Sequence, residues 1–179
     1  MQQGSLKKVI AMAAAGLTLM ILGACTDVVV RPGVSGQLSG HMAKIAIPTF
    51  QNRTGQPNLE NEITQQLTRD FLVDGRLELT NPDQAGAILQ GTIVQYLLTP
   101  LLLDVHNTPQ QYKMRIIMHL SLKDTQAGKS LWTEDNWEEN TTYYVNNSLG
   151  IRPETEQDAR RRLITQLSRR IVSRVIEGF

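Results

Sequence analysis

Glu134, Asp135, Glu138 and Glu139 crowd four carboxylates into six positions of this 179-residue chain. A pair of carboxyl groups is what a glycosidase uses, one as acid and one as base or nucleophile. Their surroundings favour a plainer role. They fall in a stretch read as a strand, and Lys113, Arg115 and Lys123 on the strand before it are available as cross-strand ion partners. Other reactive-looking residues also fall short of a site. His41, His106 and His119 are scattered without metal-ligand spacing. Gly128-Lys129-Ser130 ends like a phosphate-binding loop, but that loop needs a glycine where Lys123 stands and a helix where a strand follows. Gly33-Val34-Ser35-Gly36 resembles part of a nucleophile elbow, and Gln37 occupies the closing glycine position. The sequence therefore predicts no enzyme, no cofactor and no metal.

The residue with a defined chemistry is Cys25, the only cysteine. Lys7 and Lys8 form a basic start, Val9–Leu22 is an uncharged and mostly apolar run, and Leu22-Gly23-Ala24 sets small residues directly before the thiol. That order is similar to bacterial lipoprotein signals, and the run is shorter than the roughly 20 residues of a confident membrane span. It predicts removal of residues 1–24 and a diacylglyceryl group on the Cys25 sulfur. An Asp directly after a lipidated cysteine holds a lipoprotein in the inner membrane. Here Thr26 intervenes before Asp27, so delivery to the outer membrane, on its periplasmic side, is expected. Residues 25–42, with Pro32, Gly33, Gly36 and Gly40, read as a lipidated flexible tether. Residues 43–179 read as one domain. A formal net charge of +1 gives no electrostatic footprint for nucleic acid.

The elements follow from periodicity. Lys44–Pro48 is a short β-branched strand. Leu59, Ile63, Leu67 and Phe71 recur every four residues, with Leu72 beside them, and mark a helix over Leu59–Val73. Asn58 is placed to cap its start and Gly75 to stop it. Arg76–Thr80 is a second strand, parallel to the first through a right-handed crossover. After the break at Asn81-Pro82-Asp83, an apolar strand begins at Ala87 and is expected to lose regularity near Leu98, because Pro100 follows. Tyr112–Lys123 alternates strictly, with Tyr112, Met114, Ile116, Met118, Leu120 and Leu122 on one face. The turn 124–129 leads to an antiparallel return strand over Ser130–Val145. Valines 28–30 could add a short strand. Glu154–Glu177 is a second helix with its stripe at Ala159, Leu163, Leu167, Ile171 and Val175. The sum is an α/β two-layer sandwich: a mixed, mostly antiparallel sheet of four to five strands with two helices packed on one face.

Two further places could carry contacts. The last helix is rich in arginine, which reads either as a solvated face or as a surface for an anionic partner. The loops holding His106 and Arg152 lie at the sheet margin, where contacts concentrate.

Four stretches, in this order and spacing, resemble the LptE family of lipopolysaccharide-assembly lipoproteins. They are IAIPTFQNRTGQPNLENEITQQLTRDFL (45–72), AILQGTIVQY (87–96), QQYKMRIIMHLSLKDTQAGKSLW (110–132) and the helix that follows RPETEQDA (152–159). The resemblance runs from Ala43 to Ile176. It implies a protein without catalytic activity that sits as a plug in the LptD outer-membrane barrel, helps that barrel assemble and binds lipopolysaccharide. It also implies lipopolysaccharide contact at basic residues in the two loops, here His106 and Arg152. A histidine is not a fixed cation, so Lys113 or Arg115 could take the place of His106. The first strand-loop alone also resembles other envelope lipoproteins. The alternative is therefore an accessory lipoprotein of another envelope machine, such as a cell-wall-synthase activator or a secretion adaptor.

Overall fold

The computed structural model describes residues 40–146 and 150–177. The leader, Cys25, valines 28–30 and most of the expected tether lie outside the described residues.

Among the described residues six strands form one sheet: β1 (Lys44–Ala46), β2 (Gln51–Asn52), β3 (Glu78–Leu79), β4 (Ala87–Leu103), β5 (Pro109–Asp124) and β6 (Ser130–Tyr144). Five of them run in the order β3-β1-β4-β5-β6, and β2 also pairs with β4. Helix α1 (Leu59–Asp74) connects β1 to its parallel neighbour β3, and α2 (Glu156–Glu177) follows β6. β1 and β2 are parallel to β4, while β4, β5 and β6 are successive antiparallel neighbours. This is the expected mixed two-layer α/β sandwich.

The sheet alternation and the helix stripes meet in one core. Met114, Ile116, Met118, Leu120 and Leu122 of β5 are fully buried, as are Ile63, Leu67 and Phe71 of α1 and Leu163, Leu167, Ile171 and Val175 of α2. All belong to one apolar cluster. Each such side chain contributes about 1.5–3 kcal/mol by leaving water. Leu72 is not part of it. The residue points away from the α1 stripe and is 64% exposed.

Several local expectations are corrected. The first strand is divided, because the chain leaves the sheet after Ala46 and re-enters at Gln51. Between these points Phe50 turns inward over Gly91, where an added Cβ would come within 2.4 Å of the Phe50 ring. Asn58 stands at the start of α1 in the left-handed region (φ 65°), and its side chain does not cap the helix. It instead accepts a 2.9 Å bond from the Asn61 amide. Gly75 ends α1 as expected, at φ 71°, donating to Phe71 O. The cap of α2 is Thr155, whose Oγ1 accepts from Asp158 N at 3.1 Å, so that helix begins at Glu156.

β4 does not break near Leu98. It continues through Pro100, which faces Tyr112, with register shifts on either side of Leu102. Beyond Ile93 no described strand lies on its second side, and proline is tolerated on such an edge.

Candidate functional site at the β4–β5 end of the sheet

The two longest strands, β4 and β5, meet in a tight turn built around one carboxylate. Asp104 Oδ1 accepts from His106 N and Thr108 N, each at 2.8 Å, and Oδ2 accepts from Gln110 Nε2 at 3.1 Å. Asn107 supplies the left-handed residue (φ 59°) that closes the turn. The tip is thus ordered by its own side chains.

Its surface is apolar. Leu101 and Leu103 are about half exposed, at 50% and 47%, and Val105 is 93% exposed. Leu98, Leu102, Val145 and Ile151 add to the exposed apolar area. Beside them lies an open cleft of about 630 Å³ walled by Leu98, Tyr112, Tyr143, Val145 and the 153–156 segment. Tyr112 stacks on Tyr143 with centroids 5.7 Å apart. The Tyr143 phenol is pushed up, by burial first and then by the Glu156 charge. Glu156, which lines the cleft, accepts at Oε1 from the Tyr96 hydroxyl at 2.8 Å. Burial, and then that bond, push the Tyr96 phenol well above its ordinary value.

The loop carrying Arg152 is stitched to the same end. Val145 N bonds Gln110 O at 3.1 Å, and Glu154 N returns to Tyr144 O at 2.7 Å. His106 and Arg152 therefore share one end of the sheet, both exposed. Lys113 sits a few residues inside it, opposite Thr142. Arg115 stands further in and is paired with Glu138 at 3.7 Å. Lys113 and Arg115 alternate with buried Met114 and Ile116, so both project from the helix-free sheet face. The four proposed contact residues are thus a graded set. His106 and Arg152 lie at the apolar end, Lys113 just inside it, and Arg115 further in, ion-paired with Glu138.

The sequence reading missed the apolar end itself. The available signal was length: an apolar run over Ala87–Leu103 exceeds what two helices on one face can cover.

The helix-free face is otherwise mostly polar, interrupted by Ile117. An open cleft of about 500 Å³ on it is lined by groups such as Thr49, Gln51, Gln90, Thr92, Lys123 and Thr133. The expected cross-strand ion pairs form only in part. Arg115 meets Glu138, but Lys113 and Lys123 face Thr142 and Ser130. His119 Nδ1 pairs with Asp135 at 2.7 Å. Glu134 and Glu138 are not a convergent carboxylate pair. They register with Leu120 and Ile117, which point to opposite faces of β5. Among the described residues no group of acids, histidines or cysteines could hold a metal ion, and no helix is long and apolar enough to cross a membrane.

The arginines of α2 are largely engaged within the fold. Arg160 pairs with Glu62 (3.2 Å) and Glu156, Arg161 with Asp158 (2.8 Å), Arg162 with Glu154 (2.7 Å) and Arg170 with Glu139 (2.5 Å). The Arg174 guanidinium lies 5.8 Å from the Trp132 ring centre.

The sequence matches the LptE family model, described as lipopolysaccharide-assembly, over residues 42–175. No curated protein matches it. Among solved structures, the hypothetical protein CT253 from Chlamydia trachomatis is similar with a TM-score of 0.54 at 14% identity, covering 74% of this chain and 94% of that one. The PelC dodecamer subunit from Paraburkholderia phytofirmans gives 0.51 at 13% identity, covering 76% and 90%. Protein XCC0632 from Xanthomonas campestris gives 0.50 at 10% identity, covering 74% and 83%. At these identities the likeness is one of fold.

Proposed function

The chain belongs to the LptE lipopolysaccharide-assembly family, and from that premise we propose that it is an outer-membrane lipoprotein that plugs an LptD-like barrel, helps it assemble and binds lipopolysaccharide for delivery to the outer leaflet. The family match over residues 42–175 carries this reading. Acylation of Cys25 anchors the chain on the periplasmic side, and no catalytic step is assigned to it.

Two physical features support the details. The helix-free sheet face is polar and suits the polar lumen of a large barrel. The β4–β5 end combines exposed leucines with His106, Lys113 and Arg152. Lipopolysaccharide offers acyl chains to the first and phosphates to the second. Arg152, a permanently charged planar donor, suits a phosphate better than His106 does. Arg115 contributes less, because it lies further from that end and is ion-paired with Glu138.

Detergent extraction followed by affinity purification of the full chain tests the proposal. A large outer-membrane barrel should co-purify, and depletion of the chain should lower surface lipopolysaccharide. Recovery as a free monomer with surface lipopolysaccharide unchanged would sink it, and crosslinking to a periplasmic enzyme in place of a barrel would point to another envelope machine.

A further inference from the structure

Among the described residues strand β6 is the long outer edge of the sheet: fifteen residues paired on one side by β5. An edge of that length is a template for strand addition. Its outward-facing groups alternate. Val145 N bonds inward to Gln110 O on β5, whereas Tyr144 O takes an outside donor, Glu154 N, at 2.7 Å. Residues 138, 140, 142 and 144 thus face outward.

Two of the remaining outward carbonyls are taken by side chains from α2. Arg162 Nη2 donates to Thr142 O at 3.1 Å, and Arg170 Nη1 donates to Glu138 O at 3.3 Å. Each guanidinium is fixed where it stands. Arg162 is held by Glu154 at 2.7 Å and by the Thr141 hydroxyl. Arg170 is held by Glu139 at 2.5 Å and lies 5.1 Å from the Trp137 ring centre. Further back, the register shift between Met118 and Leu120 leaves Asp135 and Asn136 as a bulge, which itself discourages pairing.

The edge so covered is self-complementary. If two copies of β6 pair antiparallel about Asn140, Glu138 faces Thr142, Glu139 faces Thr141 and Trp137 faces Tyr143. No like charges are opposed, and an aromatic pair forms on each side. That is the arrangement of a two-fold, isologous interface.

We propose that Arg162 and Arg170 guard the outer edge of β6 against strand addition, and that the partner they hold off is the β6 edge of a second copy of this chain. The arginine-rich helix then acts as an edge cover rather than an anion-binding surface. This inference does not depend on the identity of the barrel or of the ligand.

The test compares the full chain in detergent with the Arg162→Gln/Arg170→Gln double variant by analytical ultracentrifugation. The wild-type chain should stay monomeric, and the double variant should double its mass as concentration rises. Asn140→Pro in the double-variant background should restore the monomer, because it removes an outward N–H without touching the β5 ladder. Asn140→Cys in that background should yield a disulfide joining the two substituted positions, located by peptide mapping. A folded double variant that remains monomeric overturns the proposal. Association that Asn140→Pro leaves unchanged overturns it too, since lost charge alone would then explain the effect. If circular dichroism shows the double variant unfolded, the single Arg170→Gln variant, which keeps Arg162 and its Glu154 pair, is judged by the same two criteria.

Discussion

The Tyr96 hydroxyl on β4 donates to Glu156 Oε1 in the first turn of α2 at 2.8 Å, and Glu156 in turn meets Arg160, which reaches Glu62 on α1. One chain of polar contacts thus ties the sheet to both helices beneath the apolar end. Burial, and then the bond to Glu156, hold the Tyr96 phenol above its ordinary value of 10.0. A phenol raised in this way adds stability that is complete below the unfolded value and drains as pH rises past it. Tyr96→Phe should cost about 0.5–1.5 kcal/mol at neutral pH. It should also flatten the loss of stability above pH 10, as read by urea unfolding across an alkaline series. Tyr143, raised for related reasons, should preserve part of that slope.

The Phe50 ring lies directly over Gly91, and the ring is itself buried. Gly91→Ala should destabilise the domain by about 1–3 kcal/mol, the usual cost of overpacking. Phe50→Leu in the same chain should recover part of the loss. Chemical denaturation of the single and double variants measures both effects. A neutral Gly91→Ala would mean that the ring has room to move.

Asp124 orders the β5–β6 turn. Its Oδ1 accepts from Ala127 N at 3.0 Å and Gln126 N at 2.8 Å, and His41 Nε2 lies 3.2 Å away. The Ala127 bond first, and then the His41 contact, hold this carboxyl below the ordinary 3.8. A depressed carboxyl contributes stability above its unfolded value and loses it as pH falls through the folded one. Asp124→Asn should therefore make unfolding less steep with pH below about pH 4, seen by circular dichroism in an acid titration. An unchanged acid profile would remove Asp124 from the account.

Charge reversal separates a located lipid contact from general electrostatics. Arg152→Glu should weaken lipopolysaccharide binding more than Lys129→Glu, since Lys129 lies in the turn at the other end of the sheet. Arg162 is a poor control, because its guanidinium holds Glu154 and the β6 edge. Binding measured at two salt concentrations completes the test, as exposed charges weaken with salt. Equal losses for the two variants would speak against a site at the β4–β5 end.

Cys25→Ser should abolish acylation, readable as loss of the lipid mass on the N-terminal peptide, and release the chain from membranes. A variant that stays cleaved and membrane-bound would refute the anchor.

Periodic stretches could be read from the sequence because each had one face to bury. The Met114–Leu122 alternation and the Leu163–Val175 stripe fell where expected, and the crossover through α1 followed from helix length alone. What could not be read depended on partners distant in sequence. Pro100 suggested a break, yet it lies on a stretch of β4 with no second strand beside it among the described residues, so its missing N–H costs little. Asn58 has the type of a cap but the backbone of a left-handed turn. Lys113 and Lys123 have the alternation of paired charges, and the register set hydroxyls opposite them. The arginines of α2 fitted a helix face in either of two roles, and only the tertiary structure showed partners inside the fold: Glu62 on α1 for Arg160, and the β6 edge for Arg162 and Arg170. His106 and Arg152 were read on loops at the sheet margin, whereas the exposed Leu101, Leu103 and Val105 at that end were not read at all.

The chain enters the domain where Gly86 passes under the backbone of His41, so close that an added Cβ would stand 1.8 Å from the His41 oxygen. That crossing fixes the beginning of β4, and the leucine-rich tip is at its other end. At about 3.3 Å per residue the strand between them is a beam some 50 Å long, stiffened along its length by β5. A bilayer with its headgroups is about 40–45 Å thick. Whatever holds the entry point therefore sets the position of the tip at a standoff comparable to a membrane's depth. A pair of residues removed from both β4 and β5 would shorten the reach itself.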